Sequence, residues 1–139
     1  MICRPRLLLA EDDLDTGNLL RTLLQPEFEV IAHVRDGETL VTAAAQLAPD
    51  VIVSDIMMPG LDGIMATTAI LQSTPAMPII LVTGYGDPAV AEKGLAAGAL
   101  GCVWKVAAGD ELIPAVHGAL HGERHVSAAL QCPDGIGLK

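Results

Sequence analysis

Short apolar runs alternate with longer amphipathic stretches along this chain, and the alternation predicts its elements. Leu7-Leu8-Leu9-Ala10 is too short for a helix and is followed by acids, so it reads as a strand. Leu14, Leu19, Leu20, Leu23 and Leu24 then recur at helical spacing, with Asp13 as N-cap and Pro26 at the end. A second strand, Glu29 to Val34, breaks at Asp36-Gly37. The next helix turns Leu40, Val41, Ala44 and Leu47 toward a core and stops at Pro49-Asp50. Val51-Ile52-Val53-Ser54 is β-branched and apolar, as expected of a central strand covered on both faces.

A loop rich in turn residues, Asp55 to Gly63, leads into a helix around Ile64 to Gln72. Pro78 to Val82 is a fourth strand, and Ala89 to Ala97 a small-residue helix ending at Gly98. Leu100 to Trp104 makes a fifth strand, and Asp110 to Leu120 a fifth helix with Pro114 near its first turn. Strands alternating with helices in this way predict an α/β fold: a doubly wound five-stranded parallel sheet with five helices, joined by right-handed crossovers. Ligands in such folds bind beyond the carboxyl ends of the strands, at the switch point of the topology.

The chemically interesting residues fall there. Glu11, Asp12 and Asp13 follow the first strand, Asp55 ends the third, Thr83 the fourth, and Lys105 follows the fifth. Carboxylates crowded on one rim repel each other unless a cation offsets them. A hard divalent ion with oxygen ligands, Mg²⁺ above all, suits such a set. Asp55 can then act as a nucleophile toward a phosphoryl group without a general base, since a carboxylate is already ionised at neutral pH. Lys105 and the Thr83 hydroxyl would neutralise and hydrogen-bond the phosphoryl oxygens. Each residue alone reads as a solvated loop or strand-end group; their joint placement on one rim carries the inference.

Composition narrows the class. The chain has 139 residues, enough for one domain, with 51% hydrophobic and 18% charged residues, a globular balance. Its formal net charge of −9 and scattered Lys and Arg speak against a nucleic-acid surface. Cys3, Cys102 and Cys132 are far apart and read as reduced thiols. No apolar run approaches the ~20 residues needed to span a bilayer, and the N-terminus lacks a signal-peptide layout. The expectation is a soluble, cytoplasmic protein without membrane contact.

Leu8-Leu9-Ala10-Glu11-Asp12-Asp13, Val51 through Gly63 (with Asp55-Ile56-Met57-Met58-Pro59-Gly60-Leu61-Asp62-Gly63) and Leu81-Val82-Thr83-Gly84 resemble the receiver domain of bacterial two-component response regulators. The likeness runs over roughly residues 5 to 121. It implies a flavodoxin-like strand order 2-1-3-4-5. It also implies phosphorylation of Asp55 and Mg²⁺ held by Glu11, Asp12, Asp55 and the backbone carbonyl of Met57. Thr83 is the implied switch hydroxyl and Lys105 the phosphoryl contact, while Asp13 is assigned to helix capping. The implied partner is a sensor histidine kinase or phosphotransfer protein. The fourth helix, fifth strand and fifth helix are the implied output or homodimer face, competing with simple close packing of small residues. The chain is read as a signalling module with weak self-phosphorylating and self-dephosphorylating chemistry, not a free-standing enzyme.

Two positions depart from the family pattern. Receivers commonly carry Tyr or Phe three residues before the lysine, where this chain has Cys102; Trp104 lies on the same strand face, one step along. The usual proline after the lysine is Val106 here, so a trans Lys105–Val106 bond is expected. Met57 and Tyr85 flank the acceptor and are candidates for limiting water attack on an acyl phosphate.

The domain is expected over 1–121, with a linker or tail over 122–139. Residues 116–127 resemble the junction that precedes a helix-turn-helix output domain in one large class of transcription regulators, so the chain is either a piece of such a regulator or a stand-alone receiver. His117, His121 and His125 at four-residue spacing read as surface histidines rather than a metal site. Two rivals stand beside the phosphoacceptor reading. A Mg²⁺-dependent phosphohydrolase would want a carboxylate where Met57 stands. A degenerate binding module is opposed by intact Glu11, Asp12, Asp55, Thr83 and Lys105.

Overall fold

The computed structural model describes residues 4–131. Its parallel strands are β1 (Arg6–Ala10), β2 (Glu29–Val34), β3 (Val51–Asp55), β4 (Ile79–Thr83), β5 (Gly101–Trp104) and a short β6 (His125–Val126). They lie in the order β2-β1-β3-β4-β5-β6, which is the expected order with one strand added at the β5 edge. The helices are α1 (Leu14–Leu24), α2 (Gly37–Leu47), α3 (Gly63–Ser73), α4 (Pro88–Ala96) and α5 (Ala108–Leu120), with a 3₁₀ turn over Lys105–Ala107.

Strand alternation divides the core between two faces. Leu8, Ala10, Ile52, Ile79, Leu81 and Cys102 pack with residues of α2, α3 and α4. Leu7, Leu9, Val51, Val53, Ile80, Val82 and Val103 pack with α1 and α5. All residues of β3 and β4 are buried, the condition that lets these strands be apolar without alternation.

Aspartates start the helices on the site side. Asp13 accepts the Thr16 N–H at 2.8 Å, Asp36 the Thr39 N–H at 2.7 Å, Asp62 the Met65 N–H at 2.8 Å and Asp87 the Ala89 N–H at 2.9 Å. Each satisfies an orphan donor and places negative charge at the positive end of a helix. Part of the acidity is therefore capping, with no ligand needed to explain it. α5 differs: it grows out of the 3₁₀ turn without a side-chain cap, beginning at Ala108, so Pro114 lies in its interior.

Segment 122–131, expected as a linker or tail, is docked on the sheet in part. β6 pairs in parallel with β5, and Ser127 and Leu130 are buried. Residues 132–139 of that expected tail, with Cys132, lie outside the described residues, as does Cys3. Among the described residues no helix is long and apolar enough to cross a membrane.

Candidate functional site

The sheet order reverses between β1 and β3, and the acidic residues emerge from those strands on the same rim. Glu11 and Asp55 are buried, 1% and 4% exposed, while Asp12 is half-buried. Each of the three offers a carboxylate oxygen, and these atoms lie within 4.8 Å of one another. They line an open cleft of ≈ 410 Å³ with Asp13, Met57, Gly84, Tyr85 and Lys105.

The loop after Asp55 is shaped by its glycines. Gly60 has φ 71°, a left-handed turn that suits glycine. A Cβ on Gly63 would lie 2.1 Å from the Asp55 carbonyl oxygen, so the start of α3 can close on the end of β3 only without a side chain there. Gly63 N–H donates to the Ile56 carbonyl at 2.8 Å, fixing that closure.

Lys105 opens the turn after β5 and reaches across the rim. Its Nζ lies 2.7 Å from Glu11 Oε1 and 3.3 Å from Asp55 Oδ2. Burial would lower the lysine, but its contacts with Glu11 and Asp55 carry it above its usual range. For Asp55, burial and then the Glu11 carboxylate push the carboxyl up to about 6, against the pull of Lys105. One ammonium does not neutralise the whole set. Glu11 Oε1 is buried and, apart from the Lys105 ammonium, has no partner among the described residues. Such hard-oxygen donors in excess of positive charge fit a divalent cation.

Thr83 is fully buried at the end of β4, and its Oγ1 accepts the Tyr85 N–H at 3.1 Å. The hydroxyl thus holds the loop that leads to α4. Met57 and Tyr85 are 57% and 63% exposed on the cleft wall. Cys102 is fully buried, and burial pushes its thiol up to about 11. Trp104, on the same face, lies beneath the loop at Gly86 with its Nε1 buried and unpartnered among the described residues. The Lys105–Val106 bond is trans, as expected.

His33 and Arg35, which the motifs do not single out, hold this rim from behind. His33 Nε2 lies 2.9 Å from the Glu11 carbonyl oxygen, and Arg35 Nη2 donates to the Asp12 carbonyl at 3.1 Å. The spaced histidines do not converge. His117 meets Glu27 at 2.5 Å, His121 meets the His117 carbonyl at 2.9 Å, and His125 meets Glu111 at 2.8 Å.

A family model for the response regulator receiver domain matches residues 7–117. The chain belongs to that family. Among characterised relatives, this receiver is 30% identical over 122 residues to Response regulator GacA of Pseudomonas aeruginosa, covering 87% of the chain and 57% of the relative. It is 37% identical over 99 residues to Transcriptional regulatory protein LiaR of Bacillus subtilis, covering 71% and 47%. The receiver therefore spans about half the length of these relatives. In structure it is similar to a LuxR-family two-component response regulator from Aurantimonas sp. SI85-9A1, with TM-score 0.87, 31% identity and coverage of 91% and 92%. The isolated receiver of RcsB from Salmonella enterica serovar Typhimurium, solved with the phosphomimetic BeF₃⁻, shares the fold at TM-score 0.82 and 23% identity, with coverage of 91% and 96%.

Proposed function

We propose that Asp55 accepts a phosphoryl group from the phosphohistidine of a sensor histidine kinase or phosphotransfer protein, in a reaction supported by Mg²⁺. The observation that carries this reading is a buried nucleophilic carboxylate at the mouth of an open cleft, with Lys105 3.3 Å from its oxygen. An Asp55 oxygen attacks phosphorus, the P–N bond to the donor imidazole breaks, and the bonding pair leaves with that imidazole, which is then protonated. Lys105 stays beside the transferring oxygens, and its ammonium offsets their charge. The Thr83 hydroxyl exchanges its Tyr85 contact for a phosphoryl oxygen, which frees the loop into α4.

Glu11, Asp12, Asp55 and the Met57 carbonyl would hold the cation. When bound, Mg²⁺ neutralises charge on the phosphoryl oxygens and on the crowded carboxylates. Met57 supplies no acid or base for hydrolysis, so the acyl phosphate serves as a signal rather than a turnover intermediate. Its slow loss, and formation from small phosphoryl donors, complete the proposed chemistry.

The likeness to transcription regulators supports an output that controls transcription through a helix-turn-helix domain. A homodimer through α4, β5 and α5 remains within the proposal, with one condition. A second copy would meet β6 and the segment at Leu130 on that side of β5, not an open strand edge. Reductive trapping tests the acceptor. After incubation with acetyl phosphate and Mg²⁺, borohydride should convert residue 55, and no other aspartate, to homoserine in a peptide map. Homoserine elsewhere, or nowhere, contradicts the assignment.

A further inference from the structure

We infer that His33, seated over Gly17, is a positioning residue that sets the reach of Glu11 and Asp12 toward a divalent cation. The inference rests on the Mg²⁺ reading above and extends it to residues outside the cleft.

Glu11 leaves β1 with its N–H still in strand register, donating to the Val34 carbonyl at 3.0 Å. Beyond that point the strand ladder ends, and the next two carbonyls need other donors. Glu11 O meets His33 Nε2 at 2.9 Å, and Asp12 O meets Arg35 Nε at 3.3 Å and Nη2 at 3.1 Å. A carbonyl oxygen only accepts, so His33 Nε2 carries the proton in this contact. His33 lies on β2 and Arg35 just beyond it, two residues on, so alternation turns both toward the α1 side. Consecutive carbonyls of the acidic pair are thus gripped from one neighbouring strand. The Glu11 side chain is gripped as well: Oε2 accepts the Asp13 N–H at 3.1 Å, and Oε1 faces Lys105 at 2.7 Å.

Gly17 makes the grip possible. It lies on the buried face of α1, and a Cβ there would sit 2.0 Å from His33 Cε1 and 2.4 Å from Nε2. Glycine is a poor residue for a helix interior. Its presence here is explained by the imidazole that occupies the space. A histidine that merely filled a gap would not need its nitrogen on the carbonyl of a metal-ligating residue. Outer contacts of this kind orient metal ligands, and their loss typically costs about 10-fold to 100-fold in metal affinity.

The test is Mg²⁺ titration of the whole chain by calorimetry, with folding of each variant checked by circular dichroism. His33→Ala should weaken Mg²⁺ binding about tenfold. His33→Gln, whose amide N–H reaches a similar point, should recover most of the affinity. His33→Leu, which fills the space without a donor, should not. Gly17→Ala should weaken binding by displacing the ring, and Gly17→Ala combined with His33→Ala should be no worse than His33→Ala alone, because the two changes act through one contact. Where His33→Ala fails to fold, the Gln and Leu variants decide. Wild-type affinity in His33→Leu, or equal losses in Leu and Gln variants, overturns the positioning role. A wild-type chain that binds no Mg²⁺ overturns the cation reading itself.

Discussion

Cys102 and Val106 are where this receiver parts from its family at the scale of single residues, and Trp104 lies between them. Cys102 is fully buried and lacks the aromatic ring that receivers commonly carry at that position. Trp104 is better placed to register events at the site. It precedes Lys105, lies under Gly86, and its buried indole N–H has no partner among the described residues. A buried donor without an acceptor is costly, so the indole would gain from any movement of the neighbouring loop that brought an acceptor to it. The chain has one tryptophan, so its fluorescence isolates this residue. Adding BeF₃⁻ with Mg²⁺ should shift Trp104 emission in the wild type and leave Asp55→Ala unchanged. An unmoved spectrum in the wild type would remove Trp104 from the switch.

Elements are joined at the β5 edge by a small polar network. Ser127 Oγ accepts the Trp104 backbone N–H at 2.9 Å and donates to Glu111 Oε1 at 2.6 Å, and His125 Nε2 meets the same oxygen at 2.8 Å. This fastens β6 to β5 and α5, and Leu130 belongs to the same buried core as Leu81, Ala91 and Cys102. Ser127→Ala leaves the Trp104 N–H unpaired and should cost about 1–3 kcal/mol in denaturant unfolding; no measurable loss would mean that β6 is not fastened there. The hydrogen bonds from His125 and then Ser127 hold Glu111 below its ordinary value of 4.5. The stabilisation it contributes is therefore present above that value and lost as pH falls through the lower folded one. Unfolding midpoints of wild type and Glu111→Gln should differ most above about pH 5 and converge in stronger acid. A gap that persists unchanged at low pH would assign the effect to packing instead of charge.

For the molecule as a whole, the parallel α/β architecture was legible because the first five strands are short apolar runs and the first two helices have an aspartate before them and a proline after them. Glu11, Asp12, Asp55, Thr83 and Lys105 were legible because a doubly wound sheet brings strand ends together, and the structure does bring them to one rim. His33 and Arg35 were not, since they act on backbone carbonyls that no motif records. β6 was not, because a two-residue strand has no period, and the start of α5 was missed because it carries no side-chain cap. The proposed function turns on one transfer to one carboxylate. The direct test is intact mass after incubation with Mg²⁺ and acetyl phosphate, for wild type and Asp55→Ala. The account predicts a gain of about 80 Da, one phosphoryl group, in the wild type alone. No gain in the wild type, or an equal gain in Asp55→Ala, would contradict it.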